Sequence, residues 1–404
     1  MSGTVGSPAG TGSFTCSELK PRIVIGVTSA QTCLVLKGRI RALKDAGFDV
    51  TVVSSPGAQL ERIGEEEGGQ IQPVPMERKI ALARDFLSLL RLYWVLRDQK
   101  PAIVEFSTPK AGLLGLVAAR LVGVPKRVYL LRGLKFETAS GLKRLLLCGA
   151  ERLSARLAHT VLCTSESVRQ TVLALGIVPP VKLKMLGKGS SIGVDVGRFS
   201  PGPSDMRREL GIPASARVIG FVGRLTRDKG LPELLDAFKR ILDWDPSAIL
   251  LLVGWFDTAE DALSVELKSR ILSHPRIVWA GFVQDPVPYY RVMEVLVLPT
   301  LREGFPNTIL EASAMGLPVV ATTATGSRDA VVPGVTGILV APGDVNAMSE
   351  AVLRLLENNA LRRQMGAAGR EWVSQNFASQ KILALNAEFF KSQLVSPAPA
   401  REPR

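Results

Sequence analysis

The chain has 404 residues and a mass of 43.5 kDa, enough for two domains at about 100–200 residues each. Its 46% hydrophobic and 22% charged content excludes wholesale disorder, a collagen-like repeat and a disulfide-knit peptide. The net charge of +13 lies in the first half: residues 1–200 hold 28 Lys and Arg against 15 Asp and Glu, whereas residues 201–404 hold 22 of each.

Residues 1–19 open with Met1–Glu18, rich in Gly, Ser and Thr. With no basic flank and no apolar core, this segment reads as a loose lead and not as a secretory signal. Arg22–Val27 reads as a strand and Leu34–Ala46 as a helix closed by Gly47. Asp49–Val53 and Ala102–Phe106 follow as strands, then a helix over Ala111–Val122 and a strand over Arg127–Leu131. A helix over Leu142–Leu157 leads to strands at Thr160–Cys163 and Val181–Leu186. Gly187–Pro203, rich in Gly, Ser and Pro, breaks the pattern as a linker.

The alternation then restarts. Arg217–Val222 is a strand, Leu231–Leu242 a helix, and Ile249–Val253, Arg276–Ala280 and Val295–Leu298 are strands. Pro306–Met315 is a helix, Pro318–Ala321 and Ile338–Val340 are strands, and helices run to about Val395. Strands that are apolar on both faces and separated by helices predict parallel sheets covered on two sides. The expected fold class is therefore α/β: two doubly wound, Rossmann-like domains, 20–195 and 196–395, facing each other across a cleft, with a loose Pro- and Ala-rich tail at 396–404. Ligands in such sheets sit at the carboxyl ends of the strands. The longest apolar runs, Leu113–Val124 and Ala248–Phe256, are too short to span a bilayer, which takes about 20 apolar residues.

Four cysteines without CxxC spacing and only two histidines, His159 and His274, give no metal-ligand pattern and make a His-based triad improbable. The four cysteines suggest a reducing compartment. The informative stretch is Leu301–Val320, LREGFPNTILEASAMGLPVV. Glu303 falls in the loop after a strand, and Glu311 falls about a turn and a half into the next helix. Pro306 suits the first turn of that helix. The N–H groups of Asn307, Thr308 and Ile309 then point out of the helix start as an anion site. A second stretch, Phe221–Gly230 (FVGRLTRDKG), also joins a strand to a helix. Gly223 allows a close backbone turn, and Arg224 and Lys229, with Arg227 between them, can neutralise a diphosphate.

GRLTRDKG, REGFPNTILEA and GLPVVAT together resemble the retaining GT-B glycosyltransferases of family 4, whose E-x7-E signature matches Glu303 and Glu311. The resemblance covers roughly Pro21–Phe390. TPKAGLLGLVAARLVGVPKRVYLLRGL (Thr108–Leu134) and GKGSSIGVD (Gly187–Asp195) are most similar to bacterial transferases that extend undecaprenyl-diphosphate-linked sugars. The resemblance implies that Arg224 and Lys229 hold a nucleotide diphosphate, Glu311 the ribose hydroxyls and Glu303 the donor hexose. It implies that Phe282 and Val283 flank the nucleobase and that Gly304, Phe305, Pro306 and Asn307 line the sugar and phosphate site. It further implies a UDP-linked donor, no metal and no cofactor, and retention by front-face attack. Many relatives carry His where Arg132 stands, before Gly133. Arg cannot act as a base, so Arg132 is expected to hold a phosphate or a sugar carbonyl, with Glu137 as a second candidate. The loop Thr28–Lys37 lacks paired glycines, and Ser29, Gln31 and Thr32 offer side-chain hydrogen bonds instead. Trp255 is positioned either to close over the donor or to pack.

The first domain is expected to receive a lipid-linked saccharide. Ile80–Arg97 and Gly141–Arg156 are basic and amphipathic, a pattern suited to the headgroup region of an anionic membrane surface, although a helix with a solvated basic face reads the same. The expected location is cytoplasmic, peripherally attached to the inner face of the cell membrane. Three alternatives differ in class. A nucleotide-sugar 2-epimerase of the same fold fits the E-x7-E pair less well. A dinucleotide dehydrogenase lacks a G-x-G-x-x-G run. A nucleic-acid binder fits the pI of about 9.8 but has no recognition motif and only 6% aromatic residues, so no nucleic-acid partner is expected.

Overall fold

Among the described residues of the computed structural model, 20–258 and 261–395, the strands form two all-parallel sheets. The lead and tail expected at 1–19 and 396–404 lie outside the described residues. The first sheet contains β1 (Arg22–Gly26), β2 (Asp49–Ser54), β3 (Gln70–Pro73), β4 (Ile103–Ser107), β5 (Lys126–Leu131), β6 (Thr160–Cys163) and β7 (Leu183–Met185) in the order β3-β2-β1-β4-β5-β6-β7. The second contains β8 (Val218–Val222), β9 (Ile249–Val253), β10 (Ile277–Gly281), β11 (Val295–Leu298), β12 (Val319–Thr322) and β13 (Gly337–Val340) in the order β10-β9-β8-β11-β12-β13. The winding direction reverses between β1 and β4 and again between β8 and β11. Each reversal opens a crevice at the carboxyl ends of the strands. Strands such as Ile249–Val253 and Val295–Leu298 are buried at every residue, the reason their sequences run apolar without alternation.

Three local departures have physical causes. The helix expected over Leu34–Ala46 is broken into a short 3-10 turn, Ala30–Leu36, and a helix, Arg39–Asp45, because Gly38 at φ 77° redirects the chain. That redirection drives Arg39 into the first lobe, where Nη1 donates to Glu105 Oε1 at 2.6 Å, Nη2 pairs with Oε2, and both side chains are fully buried. A helix at Ala58–Glu67 and the strand Gln70–Pro73 were not expected. The helix carries only Leu60 and Ile63 as an apolar stripe in a polar run, and β3 is a short edge strand. Finally, Ser379–Val395, grouped with the second domain by sequence order, bridges the two: Ile382 stays in the second-lobe core, while Phe389 and Phe390 join the first-lobe core of Ile23, Ile25 and Leu43. Chain periodicity marks a helix but not the lobe that it covers.

The first lobe also buries Glu151, on the helix Gly141–Leu157, which accepts from Tyr129 Oη at 2.7 Å. Burial pushes this carboxyl up to about 7. The folded chain therefore holds this proton more tightly than the unfolded chain, whose carboxyl titrates at the ordinary value of about 4.3. The resulting stabilisation is fully present below the unfolded value and is lost as pH rises through about 7. Glu151→Gln should therefore flatten the fall in stability across that window, read as urea midpoints at pH 4.5 to 7.5. An unchanged slope would place the protonation elsewhere.

Candidate active site

The loops that follow β8, β9 and β11 converge at the carboxyl edge of the second sheet, and glycines allow them to press together. A Cβ at Gly254 would stand 1.8 Å from Gly223 O, and one at Gly230 would stand 2.0 Å from Pro299 O. Both positions have positive φ, 142° and 73°, so each is restricted to glycine by backbone angle and by space. The second contact brings the 3-10 turn Arg227–Lys229 beside the loop after β11. Lys229 there forms an ion pair with Glu303, and the two side chains are only 17% and 14% exposed.

Arg224 is aimed from the same turn. Its Nη1 donates to Asp257 Oδ2 at 2.7 Å, and its Nη2 lies 3.5 Å from Asp228 Oδ2. Asp228 is buried and also accepts from Arg302 Nη2 at 2.9 Å and from the Thr226 hydroxyl at 2.6 Å. Burial pushes the Asp228 carboxyl up, but that hydroxyl and the cations Arg302, Arg224 and Lys229 outweigh it and hold the group below its ordinary value. Asp228 is thus a fixed anion that orients two arginines, a role absent from the sequence reading although the residue lies inside the motif.

Glu311 does not meet Glu303. It sits in the helix Asn307–Ala314 and accepts from Tyr290 Oη at 2.8 Å, and burial raises its carboxyl above the usual range. Tyr290, fully buried, carries no recognisable signal in the run Pro286–Tyr290. The helix begins one residue later than expected. Pro306 is its N-cap, with φ −78° and ψ 106°, and the Pro306 carbonyl accepts from Ile309 N–H at 3.1 Å. The N–H groups of Asn307 and Thr308, rather than three, stand without an intrahelical partner.

Phe282 and Val283 follow β10. Val283 packs partly buried on the second core. Phe282 is half-exposed and meets Trp255 edge-on, with ring centroids 5.5 Å apart. The Phe305 ring packs on Phe377 at 5.1 Å. A Cβ at Gly304 would stand 2.3 Å from Arg132 O, so the first-lobe chain at Arg132 and Gly133 runs directly against the loop that carries Glu303.

The Arg132 side chain turns back into its own lobe. Nε donates to Ser107 Oγ at 3.1 Å and Nη1 to Ser191 Oγ at 2.7 Å, while Nη2 is buried without a partner. Burial, then the nearby Arg39, lowers its guanidinium to about 9. Glu137 accepts from Thr325 Oγ1 at 2.6 Å across the lobes, and burial raises its carboxyl. Its partner makes it a lobe contact. Ser29 and Thr32 bond each other at 2.9 Å. Among the described residues no three His, Cys, Asp or Glu side chains are grouped to hold a metal ion, and no helix is long and apolar enough to cross a membrane.

Two Rossmann-like lobes in contact, with cations and carboxylates on the strand-end loops of the second, define a transferase of the GT-B architecture. A model for glycosyl transferases group 1 matches residues 216–358, and a glycosyl transferase 4-like domain matches 36–189. The chain is 35% identical over 357 residues to the capsular polysaccharide biosynthesis glycosyltransferase CapM of Staphylococcus aureus, covering 88% of this chain and 93% of that protein. It is 26% identical over 325 residues to the Escherichia coli UDP-Gal:alpha-D-GlcNAc-diphosphoundecaprenol alpha-1,3-galactosyltransferase, covering 79% and 83%. Sucrose-phosphate synthase from Thermosynechococcus elongatus superposes with a TM-score of 0.78 at 21% identity, covering 94% of this chain and all of that one. Anabaena HepE, solved with UDP and glucose, superposes at 0.77 and 21%, covering 92% and 100%. The chain belongs to the group 1 glycosyltransferases with a family-4-like first domain.

Tyr290→Phe removes the hydroxyl that satisfies Glu311. Leaving that acceptor unpaired should lower unfolding stability by about 1–3 kcal/mol, measured by chemical denaturation. An unchanged midpoint would show that Glu311 finds another donor.

Proposed function

We propose that this protein transfers a hexose or N-acetylhexosamine, with retention and without a metal, from a UDP-linked sugar to a lipid-diphosphate-linked saccharide in bacterial surface glycan synthesis. The observation that carries this reading is the juxtaposition of Lys229 with Glu303, beside Arg224, on loops fixed by Gly230 and Gly254. A diphosphate on Arg224 and Lys229 places the attached sugar against Glu303, whose carboxylate accepts from its hydroxyls. Glu311, behind the helix start, accepts from the ribose.

In the reaction the bond from the sugar C1 to the phosphate oxygen breaks and a bond from C1 to the acceptor oxygen forms on the same face. The acceptor proton passes to the departing phosphate oxygen, so no protein base is required. The cations and the helix N-terminus stabilise the negative charge that develops on the leaving group. The CapM and E. coli relatives, named for capsule synthesis and for a diphosphoundecaprenol acceptor, support the substrate class.

Features of the first lobe support membrane attachment. The helices Leu82–Gln99 and Gly141–Leu157 flank the helix Pro109–Val122. Some of their apolar residues, such as Leu92 and Leu96, enter the core, but others do not: Leu82 is 81% exposed, Phe86 60%, Leu142 71% and Leu145 69%. Arg91, Arg97, Lys143 and Arg144 are exposed beside them. An apolar band edged by cations fits the headgroup region of an anionic bilayer, which supports a peripheral position on the cytoplasmic face, where a lipid-linked acceptor would be met.

A panel of nucleotide sugars offered with a polyprenyl-diphosphate sugar, read by mass spectrometry, should yield one extended product. Glu303→Ala and Lys229→Ala should each reduce it by about 10²–10³-fold. Full activity of Glu303→Ala would refute the site. In flotation with anionic liposomes at low salt the protein should rise with the vesicles, and a paired Phe86→Glu, Leu145→Glu variant should remain below. Failure of the unaltered chain to float would remove the membrane part.

A further inference from the structure

One ion pair crosses between the lobes at the edge of the donor site. Arg78, in the first-lobe loop between β3 and the helix Leu82–Gln99, donates from Nη1 to both oxygens of Asp257, at 3.0 and 3.3 Å. Asp257 Oδ2 is the same atom that accepts from Arg224 at 2.7 Å. Arg78 is half-exposed, but the Asp257 side chain is only 6% exposed. The carboxylate end of the pair is therefore shielded from solvent, unlike a surface salt bridge in which both ends are screened.

The charge balance gives this contact a consequence. On the second lobe the ion pairs at the site join Arg224, Lys229 and Arg302 to Asp228, Asp257, Asp261 and Glu303. Two of these carboxylates, Asp228 and Asp257, both bear on Arg224, so part of its positive charge is already taken up. The first lobe adds a further cation to Asp257 through Arg78. It does so on the very carboxylate that restrains Arg224.

Resting on the nucleotide-sugar reading above, we propose that Arg78 is a positioning residue of the donor site: by pairing with Asp257 from the opposite lobe, it draws on the carboxylate that restrains Arg224 and couples tight nucleotide-diphosphate binding to contact between the lobes. Arg78 acts through Asp257 and touches no reacting atom. It also links the donor site to the loop from which the membrane-facing helix departs.

The test titrates the full chain with UDP, GDP and ADP by calorimetry. Arg78→Ala should weaken the preferred nucleotide by about tenfold, the order lost with one charge-assisted contact, and Arg78→Lys should recover part of the loss. In an Asp257→Asn background the same Arg78→Ala change should have no further effect. In turnover assays KM for the donor should rise while KM for the acceptor and the thermal midpoint stay fixed. Equal weakening in both backgrounds, or no weakening by Arg78→Ala in a chain that binds nucleotide, overturns the inference and leaves the transferase reading standing. Failure of the unaltered chain to bind any of the three nucleotides removes the nucleotide-sugar reading, and the role of Arg78 with it.

Discussion

The candidate site depends on a buried anion that holds cations apart. Asp228 is almost wholly inaccessible, yet it keeps its charge because Thr226, Arg302, Arg224 and Lys229 surround it. An arginine left to solvent samples many rotamers, and fixing one costs on the order of 2 kcal/mol in side-chain entropy. Tied to Asp228 and Asp257, Arg224 has met that cost before any ligand arrives. Preorganised charge of this kind is effective against a developing negative charge because nothing must reorient during the reaction.

That network exists only because the loops carrying it can approach one another. The glycines at 230 and 254 allow two crossings that any side chain would block, and Gly304 allows a third, where the first lobe runs over the second. The second-lobe motif is thus a packing statement as much as a chemical one. Its glycines set the distance between strand ends, and its charged residues exploit that distance. The same logic explains the short helix Asn307–Ala314: Pro306 caps it and cannot donate an N–H, and Glu311 is turned toward Tyr290 and away from Glu303.

Much of this was legible from the sequence. Both sheets were readable because parallel strands buried on two faces run apolar without interruption, as at Val295–Leu298. The loops bearing Arg224, Lys229 and Glu303, and the helix bearing Glu311, were readable because strand, turn residue and helix follow one another in order. What was not legible depends on residues far apart in the chain. Asp257, Tyr290 and Arg302 gain meaning only from what they touch, and no local period marks a buried tyrosine hydroxyl as the partner of a carboxylate 21 positions away. Arg39 illustrates the limit well: among the described residues it is the largest fully buried side chain, matched by Glu105 from a strand 66 residues on. The return of Ser379–Val395 to the first lobe is the same kind of fact, since an amphipathic helix specifies an apolar partner without naming it.

The two lobes divide the physical work unequally. The second, with balanced charge overall, concentrates its ions in one tight, mutually oriented cluster. The first carries the chain's whole positive excess and leaves leucines and aromatics of two helices uncovered. A tight cluster suits a small, highly charged ligand that must be held in one pose, whereas a broad basic and apolar face suits an extended surface on which pose matters little. Contacts between the lobes, at Arg78 with Asp257, Glu137 with Thr325 and Ser167 with Asp329, join a precise site to a diffuse one. These polar side chains tie the lobes together, so the seam fixes how far the charged cluster lies from the exposed basic and apolar face.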